Sequence, residues 1–137
     1  MISGQAQAQA ITTLQILDFG TIAVENYNSN VRVTILNSGG FSTNGNTYVV
    51  DSPQPGEYLV TGGPPSTSYT VTTPSAFNIF GPNGNFIIDN IRVRPASLVT
   101  DVSGEGTFQI MARIISASGT LFPDATYDDT FNLTLNF

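Results

Sequence analysis

Apolar and polar residues alternate along most of this 137-residue chain with a period close to two. The clearest stretch is the last. Phe131, Leu133, Leu135 and Phe137 share one face there, and Asp128, Thr130, Asn132, Thr134 and Asn136 share the other. Such alternation marks a strand with one buried and one wet face. The same period predicts strands at Thr12–Phe19, Asn30–Leu36, Thr47–Val50, Glu57–Thr61, Ser68–Thr73, Phe86–Arg94, Gly106–Ile115 and Tyr127–Phe137, with shorter pieces at Thr21–Val24 and Ala76–Phe80. No window carries a convincing helical period.

Turn residues separate these segments. Asn44-Gly-Asn46 and Asn83-Gly84 suit hairpin turns with positive φ. Ser52-Pro-Gln-Pro-Gly56 and Gly62-Gly-Pro-Pro-Ser66 are loops, because proline cannot donate to a central ladder. Pro74 and Pro95 end strands. Eight to ten short strands in a chain of single-domain length indicate an all-β antiparallel sandwich or barrel. A chain of this size buries about 68% of its unfolded surface, enough for a true core.

Composition narrows the chemistry. There is no histidine, cysteine or tryptophan, and the net charge is -6. All four cations are arginines: Arg32, Arg92, Arg94 and Arg113. Transition-metal sites and Ser-His or Cys-His pairs lack their residues. Without lysine there is no Schiff base and no phosphate-binding ammonium. The acidic balance argues against nucleic acid as a partner. No apolar run reaches membrane-spanning length. The Ser, Thr, Asn and Gly content with few charges fits an extracellular β protein, and enzyme activity, a cofactor and a metal are not expected.

Candidate sites each have a plain reading. Asp18-Phe-Gly20 reads as a strand end packed by Phe19 with a turn at Gly20, not as part of a kinase. Asp124, Asp128 and Asp129 could gather Ca²⁺, or form a solvated acidic loop; Asp128 and Asp129 are adjacent on a strand and so face apart. No two of the ten carboxylates stand out as a glycosidase pair. Arg92 and Arg94 share a strand face, as surface charge or as partners of acids on a neighbour. Tyr27, Tyr48 and Tyr58 could form a glycan-binding face or pack at the core rim. The first residues alternate too: Ile2, Gly4, Ala6, Ala8 and Ala10 against Ser3, Gln5, Gln7 and Gln9. They read as a processing remnant or as an extended arm.

Leu17-Asp-Phe-Gly-Thr-Ile22, Gly56-Glu-Tyr-Leu-Val-Thr-Gly62, Ser68-Tyr-Thr-Val-Thr-Thr-Pro74 and the alternating terminal strand follow one another in order. Over Ile11–Phe137 this order resembles a family of bacterial secreted, pilin-like β-sandwich proteins of unknown function. That family is similar in style to chaperone–usher pilins and spore-coat U proteins. The resemblance implies an immunoglobulin-like sandwich over 11–137, completed by a donated strand, and an N-terminal arm over 1–10. It implies that Phe131, Leu133, Leu135 and Phe137 line an acceptor groove. Ile2, Gly4, Ala6, Ala8 and Ala10 of an identical subunit would fill it by strand addition. It further implies a cell-surface homopolymer, with a periplasmic chaperone and an outer-membrane assembly protein as helpers. Two other readings stand beside it: a secreted monomeric carbohydrate-binding or adhesin module, and a virion or coat protein.

Overall fold

The computed structural model describes residues 9–25, 30–81, 84–116 and 126–137. These residues form twelve strands and no helix: β1 Ala10–Gln15, β2 Thr21–Val24, β3 Arg32–Ile35, β4 Phe41–Thr43, β5 Thr47–Asp51, β6 Gly56–Thr61, β7 Ser68–Thr72, β8 Phe77–Gly81, β9 Gly84–Arg94, β10 Leu98–Val99, β11 Gly106–Ser116 and β12 Thr134–Asn136. All described pairings are antiparallel.

The central strand is β11, in which Phe108, Ile110, Ala112 and Ile114 alternate inward and are buried. One edge of β11 pairs with β9 from Gln109 to Ser116. Its other edge pairs first with β6 over 106–110 and then with β3 over 113–115. β8 extends the sheet beyond β9, β1 beyond β6, and β4 beyond β3, giving seven strands. Two smaller sheets, β10-β7-β12 and β2-β5, supply the remaining strands.

The core has two parts that meet along β11. One gathers Val33, Phe86, Ile88, Ala112 and Ile114, covered by Leu17, Phe19, Ile22 and Val24. The other gathers Tyr58, Val60, Tyr69, Leu98, Phe108 and Ile110. Strands of the smaller sheets thus pack on the inner face of the large one, which makes the fold a β-sandwich.

Several expectations change in detail. β1 ends at Gln15 rather than Phe19: its partner β6 begins at Gly56, one residue beyond the last pair Gln15–Glu57, and an extra residue at Leu14 has already shifted the register. The turn at 44–46 contains no positive φ. It joins β4 of the large sheet to β5 of the two-stranded one, so it is a crossing between layers and not a hairpin. The Asn83-Gly84 turn lies partly outside the described residues. β4 and β10 were not expected; at three and two residues they are too short to show a period. In β9, Asn90 and Ile91 together face Ala112, and Asn90 has φ 49°. This bulge shifts the phase: Phe86 and Ile88 point inward before it, and Ile91 and Val93 pack on the core after it.

Candidate functional site

The terminal strand is shorter than its pattern. Of Tyr127–Phe137, only Thr134, Leu135 and Asn136 enter a ladder, opposite Thr72, Val71 and Thr70 of β7. The reason lies in the partner. Continuing the register would set Asn132 opposite Pro74, which has no N–H to donate. β7 therefore ends at Thr72, and the apolar alternation of 131–133 runs on without a ladder.

The side chains still follow the alternation. Phe131, Leu133 and Leu135 are half-buried and pack on the second core cluster, while Thr130, Asn132, Thr134 and Asn136 are exposed. Phe131 stacks on Phe77, with ring centres 5.3 Å apart. Asn136 Nδ2 donates to Thr72 Oγ1 at 3.2 Å. A shallow cleft of about 400 Å³ lies where β7 and β12 part, bordered by Thr73, Pro74, Phe77, Phe131 and Asn132.

Phe137 closes the other end. Its ring lies 5.6 Å from that of Tyr69 and sits over Gly63, where a Cβ would come within 2.5 Å of Phe137 Cζ. Gly63 N–H donates to Gly104 O at 3.1 Å, and Gly104 has φ 81°. Tyr69 in turn lies over Gly106, and burial pushes its phenol pKa up. Gly63 and Gly106 thus make room for two aromatic rings at the end of the strand, and Gly104 for the backbone of Gly63.

β7 pairs with β10 on its far side, so β12 is one margin of the three-stranded sheet. Among the described residues no strand pairs with the second edge of β12. Ala10 opens β1 opposite Thr61. Ile2, Gly4, Ala6 and Ala8 lie outside the described residues. The structure therefore brings Phe131, Leu133, Leu135 and Phe137 together on one margin and puts Ala10 in the opposite sheet.

The remaining candidates divide. Asp18 Oδ1 accepts from Gly20 N at 2.8 Å, and Gly20 has φ 77° against Asp51 O, so this tripeptide is a turn as read, although it leads into β2 and does not end β1, which stops at Gln15. Asp124 lies outside the described residues; Asp129 accepts from Thr130 N–H at 2.7 Å. Among the described residues no group of three acids could hold a metal ion. Arg92 is not merely solvated: its guanidinium donates to Asn37 Oδ1 at 2.6 Å and to Asn90 O at 3.2 Å. It ties the β3–β4 turn to the β9 bulge. Tyr58 is 6% exposed and stacks on Phe108, so it belongs to the core and not to a surface. Tyr48 is exposed, but its hydroxyl donates to Glu25 at 3.1 Å, which pushes its pKa up. Tyr27 lies outside the described residues.

Two polar features went unread in the sequence. Arg113 grips Asp89 with two bonds of 2.8 and 2.7 Å, which holds the Asp89 carboxyl below the usual range. Buried Thr100 accepts from Thr67 N–H at 2.9 Å and donates to Pro64 O, fastening the 62–67 loop. Both depend on register between distant strands, and neither leaves a local signal.

A family model described as "Domain of unknown function (DUF4402)" matches residues 10–137. No curated protein and no solved structure matches the chain.

Proposed function

We propose, on the premise that this chain belongs to the DUF4402 family of domains of unknown function, that it is a non-enzymatic structural subunit of a bacterial cell-surface filament. Residues 1–9 of one subunit add as a strand to the second edge of the segment Thr130–Phe137 of the next. One observation carries the reading. β12 is held on one edge by three residue pairs, while its apolar face continues through Phe131 and Leu133.

The physics supports it in three ways. A strand margin with unpaired N–H and C=O groups is a template for another chain and must be managed. Nine extended residues reach about 30 Å, enough to run the length of Thr130–Phe137. The arm alternates small apolar and amide residues without charge. At about 0.8 kcal/mol per buried CH₂ its alanines contribute little, so the backbone ladder and Ile2 would hold it. The contact is head-to-tail and does not close on itself, so it propagates into a fibre. A margin left open during export calls for a chaperone and an outer-membrane assembly protein.

The test is an SDS gel with and without boiling, on the intact chain and on a deletion of residues 1–8 that keeps β1. A heat-labile ladder in the first and none in the second is expected. A monodisperse monomer with an intact N-terminus would sink the reading.

A further inference from the structure

The outer face of the large sheet has an unusual corner at β8 and β9. Phe80 points outward and is 76% exposed, and Ile87 beside it is also exposed. Phe80 faces Asn85 across the hairpin, and Asn78 faces Ile87. Asn85 Nδ2 donates to Asn78 Oδ1 at 3.0 Å. That bond holds the two amides side by side, Asn78 exposed and Asn85 half-buried. Four residues from Asn85 along β9, on the same face and about 13 Å away, the Asp89–Arg113 pair is only partly covered, at 24% and 35% exposure. Directly paired strands hold their side chains about 5 Å apart, so the ring and the two amides form one platform, with the ion pair at its far end.

We infer that this platform binds a neutral saccharide, with a sugar ring stacked on Phe80 and its hydroxyls bonded by Asn78 and Asn85. A sugar presents an apolar C–H face and a polar rim. An aromatic face suits the first, and amides offering both donors and acceptors suit the second. Charge decides between neutral and acidic sugars. Asp89 and Arg113 neutralise each other; of the other cations on this face, Arg32 lies three strands from β8, about 14 Å away, and Arg92 and Arg94 lie farther along β9, about 20 Å or more from Asn85. Size and composition decide against a protein partner. A stable interface needs about 800 Å² on each side, with an apolar centre poor in charge. Here Phe80 and Ile87 are interleaved with amides and an ion pair. The platform lies on β8 and β9, away from β12, so the inference stands independently of strand donation. In a fibre, repetition of the site would add avidity.

The probes are cellohexaose, maltohexaose, mannohexaose and chitohexaose, titrated calorimetrically into the full chain. Binding of at least one is expected. Phe80→Ala should weaken it at least tenfold and Asn78→Ala severalfold, with unchanged circular dichroism. Val102→Ala, at an exposed loop residue elsewhere, should leave it unchanged. Sedimentation velocity of wild type and Phe80→Ala covers the other occupant. The inference is overturned if no probe gives heat at millimolar concentration, or if Phe80→Ala binds as wild type does. It is overturned equally if Phe80→Ala abolishes self-association, which would make the corner a contact between copies.

Discussion

Gly63→Ala tests whether Phe137 is seated as the structure shows. The new methyl would lie 2.5 Å from Phe137 Cζ and 3.0 Å from Cε1, so the ring must leave. Phe137 is 41% exposed. Its covered part amounts to about 120 Å² of a phenylalanine's contact area. At about 25 cal/mol per Å² this is about 3 kcal/mol, reduced to about 2 by compactness of the unfolded chain. Against that loss, replacing glycine with alanine restricts the unfolded state and returns about 0.4–1 kcal/mol. Gly63→Ala should therefore destabilise the chain by about 1–2 kcal/mol. In a Phe137→Ala background only Gly104 O, at 3.1 Å from the new methyl, remains, and the same change should be close to neutral. The coupling between the two sites is then about 1–2 kcal/mol. Gly104→Ala is the contrast. Its Cβ would meet Gly63 O at 2.0 Å at a φ of 81°, so the clash is with backbone and persists in either background. Urea titrations followed by circular dichroism, with the slope checked for constancy, measure all six chains. An equal cost for Gly63→Ala with and without the Phe137 ring would refute the seating.

Three further outcomes follow from polar and backbone features. Asp89→Asn should cost about 0.5–1 kcal/mol at neutral pH, the range of a partly exposed bidentate pair. Because Arg113 depresses the Asp89 pKa in the folded chain, that stabilisation is present above the unfolded carboxylate's pKa and fades as pH falls through the folded one. The stability gap between wild type and variant should thus close in acid, and a gap that widened would contradict the pairing. Asn90→Val should lose about 1–2 kcal/mol, since a β-branched residue resists the φ of 49°, whereas Asn90→Gly should stay within about 0.5 kcal/mol; thermal melts decide. Thr100→Val keeps the volume but strands the Thr67 N–H, at about 1–3 kcal/mol, which chemical denaturation and faster hydrogen exchange at Thr67 would register.

Phe108, Ile110, Ala112 and Ile114 show how much was legible along the chain. Their alternation names a strand and its buried face without any partner. β9 shows where such reading stops. Its letters offer apolar residues at 86, 87, 88, 91 and 93, and only the bulge at Asn90 decides that Ile87 faces solvent while Ile91 and Val93 face the core. The amide of Asn90 tolerates positive φ, but so do many asparagines that do not form bulges.

By itself, the sequence determined the all-β class, most of the strands, the amphipathic face of 131–137, and the want of histidine and cysteine for transition-metal sites and for Ser-His or Cys-His pairs. Those properties reside in composition and in a period of two, both local. Tertiary structure decided that the terminal strand pairs over three residues only, that Tyr58 belongs to the core, that Arg92 and Thr100 fasten loops, and that Phe80 stands out beside two bonded asparagines. Each of those turns on which strand lies alongside which, and in what register. A proline at position 74 limits the ladder of a residue at 132 only once β7 and β12 are neighbours.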